Sequence, residues 1–499
     1  MKYIPNLVWR TALLGLLLTA APGCDLLEQE SPSALSPEDV FSSPDRIEKA
    51  ANGMYDALQD GEFLGGRALI YNDIRSDDTD PAGFFGGLAL SNATSGDANA
   101  AGAWVGGYRS MYMANYMMQE LGKRSNNAGL TQEKYNQYIG EAKFIRALCH
   151  FTLVNMFAQP YNYSGNGSHP GIPIQLNAPN GEEAYLPAQQ LPRSTVAQVY
   201  DQIERDLLDA LAKLPVSQGS QPVSIARATQ DAARGLLSRL YLYKGDLDNA
   251  KRYAGEIIAS GRHELNTSAY AEFRAVLPDA PHPQQFTSES IFFVAMTIND
   301  NPNTNNAIGE HYSPPPGRGD ITVTPLSRVI PATDKRRTEL MVQRSGRLWT
   351  RKYSAETSTG SYGGANRGAW VPILRYPEIL LTRAEVLAKQ QAGDQADAEA
   401  LELLNKVRDR SKPSTAASYT VASFATKQAF IDAILRERRF ELAFEGHRIF
   451  DLFRNGLDVP ARTGSAPAPG IPWKSDRAVL PIPANEILRN PNLTQNPGY

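Results

Sequence analysis

The sequence predicts a mostly α-helical protein with tetratricopeptide-like helix pairs, a large loop-rich region and few short strands. Three observations predict it. The segment "ATQDAARGLLSRLYLYKGDLDNAKRYAGEIIASG" (228–261) reads as helix, tight turn at Gly245-Asp246, helix, in a unit of tetratricopeptide length. A second such unit is "YPEILLTRAEVLAKQQAGDQADAEALELLNKVRDRSK" (376–412), with Gly393-Asp394 at its turn. Between the helical stretches, residues 61–103 and 262–370 are rich in Gly, Asp, Asn and Pro, with scattered aromatics.

The chain begins with Lys2 and Arg10 around a short apolar run, Thr11 to Ala20, too short to span a bilayer as a helix. A charged start and a brief apolar core describe a signal peptide, here 1–23. Its boundary, Ala21-Pro22-Gly23-Cys24, resembles a lipobox, which makes Cys24 the expected lipidated first residue of the mature chain. Several acyl chains on Cys24 would hold the protein at a membrane without a spanning helix. Residues 24–37, acidic and Pro/Ser-rich, read as a tether that buries too little to fold alone.

From 38 to 499 we expect one domain. Helical stripes run near 43–60 (Ile47, Ala50, Ala51, Met54, Tyr55, Leu58) and 104–158. They continue over 193–261, with Ser194 as the expected cap of the first helix there, then 376–412 and 430–447. "SIFFVAMTI" (290–298) is a candidate strand within the loops.

Composition excludes several functions. The chain carries 50 Lys and Arg against 53 Asp and Glu, a net charge of −3, so a basic field for nucleic acid is missing. Two cysteines, Cys24 and Cys149, cannot build a disulfide framework, and Cys149 sits in an apolar helical stretch as a small hydrophobe. The six histidines are scattered with no metal-binding spacing, and no catalytic or cofactor motif stands out. We therefore expect no catalytic residues, no metal and no cofactor; "SDDTD" (76–80) offers oxygen ligands for Ca²⁺ but fails the EF-hand spacing. Glu437, Glu441 and Glu445 lie four apart among Arg438, Arg439 and Arg448, which reads as an ion-pair network rather than an acid/base pair.

Six motifs in order resemble the SusD/RagB family of outer-membrane nutrient-binding lipoproteins of Bacteroidota. They are "CDLLEQESPSALSPEDVFSSPDRIEKAANGMYDAL", "WVGGYRSMYMANYMM", "EAKFIRALCHFTLVNMFAQP", "PILRYPEILLTRAEVL", "ILRERRFELAFEGHRIFDLFRNG" and "VLPIPANEILRNPNLTQNPGY". The resemblance spans essentially the whole mature chain and implies a mostly helical domain of about four tetratricopeptide-like helix pairs with a loop-rich region that carries the ligand site. It implies a surface-exposed outer-membrane lipoprotein that captures an oligosaccharide and delivers it to a SusC-like TonB-dependent transporter. A peptide or other nutrient handled by the same mechanism is the alternative; a glycoside hydrolase and a tetratricopeptide adaptor for proteins rank lower.

Sugar rings stack on flat aromatic faces flanked by hydrogen-bonding side chains, so loop aromatics are the candidates. The pool is Phe84, Phe85, Tyr312, Trp349, Tyr353, Tyr362 and Trp370. The resemblance implies that the loop before the W-x₃-Y helix meets loops of the third quarter. That selects Phe84, Phe85 and Asn99 on one side, Tyr312 and Trp349 on the other, with Asp77 and Asp80 as acceptors; Trp104, at a helix start where a ring is more often packed, is a further candidate.

Overall fold

A computed structural model describes residues 35–273, 286–353, 356–357, 360–361 and 365–499. Cys24, the signal peptide, most of the tether and Tyr362 lie outside the described residues.

Most of the long helices start where a side chain satisfies the first free N–H groups, although Pro44–Leu58 and Tyr376–Gln390 begin with Pro in the first turn and no such cap. Helix α1 (Pro44–Leu58) has Pro in its first turn and buries Ile47, Ala51, Met54 and Leu58. Helix α2 (Arg67–Ile74) is buried along its whole length. Helix α3 (Ala98–Gly122) starts at Asp97, whose carboxylate accepts the N–H groups of Asn99 and Ala100. Thr131 caps α4 (Gln132–Phe157), and Thr195 with Gln198 forms a capping box on α5 (Val196–Lys213). Helices α6 (Gln230–Lys244) and α7 (Leu247–Ala259) form the first predicted hairpin. Helices α8 (Tyr376–Gln390) and α9 (Ala398–Asp409) form the second, followed by α10 (Lys427–Glu441) and α11 (Arg448–Arg454).

The helices stack as neighbouring pairs, α1 on α3, α4 on α5, α6 on α7 and α8 on α9, and α7 packs on α8 to join the two predicted hairpins. This is the expected mostly helical architecture. Between α6 and α7, Gly245 takes a left-handed conformation (φ 84°), and Tyr241 stacks on Tyr253 with ring centroids 5.7 Å apart. Buried Cys149 is a free thiol whose ionisation burial opposes.

Four expectations are corrected. Helix α3 begins at Ala98 rather than Trp104, because Asp97 caps it and the small residues after it carry no apolar stripe. At Gly107 a Cβ would come 2.7 Å from Leu153, so small size there allows the α3–α4 approach. Thr195, not Ser194, caps α5, since only Thr195 has Gln198 three residues on. Helix α2 sits inside a stretch expected to be loop; enclosed on all sides, it shows no amphipathic period. The 430–447 helix ends at Glu441, and Phe444 (φ 67°) and Gly446 (φ 78°) turn the chain into α11.

Among the described residues the strands are short. Ser290–Val294, shorter than the expected 290–298, pairs antiparallel with Val371–Arg375; Met341–Arg344 pairs with Arg347–Thr350. Two residues, Asp80–Pro81, pair with Ile321–Thr322. That last pairing positions the candidate site.

The E-R-R helix supplies a buried ion network, as its spacing predicts. Arg375 reaches Glu289 and Glu445, both at 2.7 Å, while Arg410 reaches Glu289 at 2.6 Å and Glu441 at 2.7 Å. Lys352 also pairs with Glu445, and Arg336 with Glu437. Burial opposes charge on Glu441, but Arg410, Arg375 and Arg336 outweigh it and hold its carboxyl at about 2. Arg438 binds Asp451 at 2.9 Å and Glu378 at 3.2 Å. These carboxylates are committed to fixed cations in the interior, and none faces another across an open cleft.

Candidate functional site

The 80–81 and 321–322 strands bring the 61–103 stretch against the third-quarter loops, the juxtaposition expected from the sequence. Thr322 lies opposite Asp80, and Ala82 donates its N–H to the Asp320 carbonyl at 2.6 Å. Immediately beyond, Gly83–Phe85 makes one 3₁₀ turn. It points consecutive phenylalanines in opposite senses, so that Phe85 is buried and Phe84 is 42% exposed.

Phe84 stands among cations. The guanidinium carbons of Arg318 and Arg67 lie 4.3 and 5.3 Å from its ring centroid, and the His311 ring lies 5.4 Å away. Arg318 is fixed by Nε to Asp320 at 2.6 Å and Nη1 to the Asn305 side chain at 2.7 Å. Arg67 donates to the Asn305 carbonyl at 2.5 Å and pairs with Glu62. Tyr71 donates to Glu62 and, at 3.4 Å, to Asn99, which is only half-buried. Phe84, Arg318, Asn305, Glu62 and Asn99 thus belong to one contiguous network, linked through buried Arg67 and Tyr71, with the Phe84 ring exposed. Burial opposes charge on Asp320, yet the hydrogen bonds from His311 and Arg318 hold its carboxyl below the usual range.

The other expected site residues are interior, and those expectations are corrected. Tyr312 is enclosed and donates to Asp73 at 2.8 Å. Trp349 is buried on the 347–350 strand, its indole N–H directed at the Gly319 carbonyl at 3.3 Å. Trp104 packs edge-on against Phe157 with centroids 5.0 Å apart. Phe85 packs on Tyr71 and His311. Tyr353 is buried and donates to the Phe444 carbonyl at 2.7 Å, and buried Trp370 donates to the Met296 carbonyl at 2.7 Å. None of these rings offers a face to a ligand.

The two aspartates are also spoken for. Asp77 is held by Arg439 and Arg448, both at 2.8 Å, so it is a fold contact rather than a free acceptor. Asp80 accepts the N–H groups of Ser465 and Ala466. With Asp78 also paired to Arg439 at 2.6 Å, the "SDDTD" carboxylates face guanidinium and backbone N–H groups, which are rivals to a cation. Among the described residues, no group of three or more His, Cys, Asp or Glu side chains could hold a metal ion.

The sequence reading missed Arg67, Glu62, Asn305, His311 and Arg318. A signal was available in "PPPGRGD" (314–320), where an arginine between glycines follows a proline run that stiffens the loop. It carried no aromatic and so fell outside a search for ring faces.

Comparison with known proteins decides the family. Residues 341–499 match the model described as "SusD family", and residues 25–242 match the model described as "Starch-binding associating with outer membrane". The chain belongs to the SusD family. A SusD-like protein P2 of Formosa agariphila is 26% identical to this SusD-family chain over 98% of it and 99% of the relative. A SusD superfamily protein from Bacteroides fragilis superposes with a TM-score of 0.76 at 27% identity, covering 91% of this chain and all of that structure. A structure titled "Laminarin binding SusD-like protein" superposes with a TM-score of 0.69 at 21% identity, over 92% of this chain and all of that one; it shares the SusD fold. No described helix is long and apolar enough to cross a membrane.

Proposed function

We propose that this SusD-family protein is a surface lipoprotein of the outer membrane. In this reading it captures an oligosaccharide on its Phe84 face and passes it to a TonB-dependent transporter of the SusC type. The observation that carries the reading is the Phe84 face itself: an exposed ring, in one contiguous network with Arg318, Asn305, Glu62 and Asn99, at the meeting of the two loop regions. An apolar ring with fixed polar neighbours suits the apolar face and hydroxyl rim of a pyranose. The family models, one described as starch-binding and outer-membrane-associated, support carbohydrate and the membrane location. Cys24 supplies the anchor through its lipobox-like setting, which needs no transmembrane helix.

The protein binds rather than cleaves, a reading supported by the engagement of its interior carboxylates with arginines. Retention on polysaccharide gels tests it. Wild type is retained and releases no reducing ends, and Phe84→Ala loses retention while keeping its fold; retention independent of Phe84 contradicts the site. Palmitate labelling lost in Cys24→Ala supports the anchor, and unchanged labelling refutes it. Co-purification with a TonB-dependent barrel tests the partner.

A further inference from the structure

The ion pairs around Phe84 point both ways: Arg67 is 7% exposed against 31% for Glu62, whereas at Arg318 and Arg367 the cation is the more exposed partner. Arg318 has its side chain 22% exposed against 14% for its partner Asp320. Arg367 is 38% exposed, while Glu310, 4.0 Å away, is 6% exposed. Glu310 also accepts the backbone N–H of Arg318, so the two arginines flank one buried carboxylate, and burial raises that carboxyl's pKa.

Both guanidiniums keep unused donors. Arg318 spends Nε on Asp320 and Nη1 on Asn305, leaving Nη2 without an acceptor among the described residues. Arg367 makes no hydrogen bond there; its buried Nε has Glu310 only at 4.0 Å, beyond hydrogen-bond distance. His311 braces the same corner: Nδ1 lies 2.8 Å from Asp320 and Nε2 lies 2.8 Å from the Asn305 carbonyl. Arg67, Arg318 and Arg367 face three carboxylates, Glu62, Asp320 and Glu310, so the face offers spare guanidinium donors rather than spare charge.

We propose that the ligand of the Phe84 face is an acidic saccharide, whose oxyanion group is received by the free edges of Arg318 and Arg367. This rests on the reading of that face as the oligosaccharide site. A guanidinium stacked on a ring keeps its N–H edge available, and that planar edge suits carboxylate or sulfate oxygens. A neutral sugar would leave the donors of Arg318 and Arg367 to water.

The test is affinity electrophoresis and calorimetry of the full chain against paired glycans. Oligogalacturonate is set against its methyl ester, and a sulfated galactan against its desulfated form. The acidic member of at least one pair is expected to bind at least tenfold tighter than its neutral partner. Arg318→Gln and Arg367→Gln should shrink that ratio toward one, and added salt should weaken the acidic member alone. A uronate preference identifies the carboxylate, and a sulfated-galactan preference the sulfate. Equal binding of both members, lost in Phe84→Ala, overturns the acidic class and leaves the site standing. Binding indifferent to Phe84→Ala, or no binding of any member, overturns the site and the acidic class together.

Discussion

Arg439 of the E-R-R helix reaches across the fold to Asp77, 2.8 Å away and 362 residues earlier in the chain, where Arg448 binds the same carboxylate at 2.8 Å. One end of the 76–80 turn is thereby clamped to α10 and α11, and the other, through Asp80, to the 465–466 backbone. The strand that presents Phe84 grows from this clamped turn. A motif that carries family identity therefore works at a distance, by holding the base of the ligand face.

Breaking the clamp should cost stability. Arg439→Ala strands Asp78 and leaves Asp77 with Arg448 alone in a largely buried setting, and we expect a loss of about 3 kcal/mol, read as a lower urea midpoint. Burial opposes charge on Asp77, but Arg448 and Arg439 outweigh it and hold its carboxyl below the ordinary value. Its contribution is therefore present above pH ~4 and is lost as the pH falls below that. An unchanged midpoint at pH 7 would contradict the clamp.

Asp73 should show the opposite pH dependence. Burial raises its carboxyl to about 8, only partly offset by the hydrogen bonds from Tyr312 and Gly446. A raised pKa favours the folded state below the unfolded pKa of ~4, and the advantage drains away as pH rises toward 8. Asp73→Asn keeps a neutral side chain at every pH, so its stability should fall less than that of wild type between pH 5 and pH 8. The gap should reach a few kcal/mol, on the order set by one pKa unit per 1.4 kcal/mol. Parallel profiles from urea titrations at the two pH values would contradict it.

Gly245 isolates a backbone effect. Its φ of 84° suits glycine, and no atom lies within 4 Å of where a Cβ would stand. Gly245→Ala should therefore cost about 1 kcal/mol from conformation alone, without disturbing the packing of α6 on α7. A midpoint equal to wild type would mean that the turn relaxes.

Phe84 and Trp349 should separate binding from folding. Trp349→Ala empties a buried site and should cost about 3–5 kcal/mol. Phe84→Ala removes an exposed ring and should shift stability by less than about 1 kcal/mol while abolishing glycan retention. Comparable destabilisation by the two would contradict the assignment of surface and core.

Much of this was legible in the sequence. The Gly245 and Gly393 turns, the apolar stripes and the Glu437/Glu441/Glu445 spacing define the helix pairs and the ion network, because period and charge spacing are local properties. Helix α2 was hidden because a fully enclosed helix has no polar face to set its period. The meeting of the 61–103 and third-quarter loops was expected, but the chemistry at their junction was not. Aromatic identity alone does not distinguish Phe84 from Phe85, since one 3₁₀ turn decides which ring sees solvent. Tyr312 and Trp349 follow the same rule, their polar tips satisfied by Asp73 and the Gly319 carbonyl. Arg67 and Arg318 were missed as site residues because the contacts that place them there, Arg67 with Asn305 and Arg318 with Phe84, join segments far apart in sequence, although Arg318 and its partner Asp320 stand together in "PPPGRGD".

The central claim is that the Phe84 face holds the ligand, and a crystal structure of the protein bound to an oligosaccharide it retains tests this most directly. A sugar ring against Phe84, with hydrogen bonds to Arg318 or its neighbours, is the predicted result. A sugar bound elsewhere, with Phe84 left open to solvent, would contradict it.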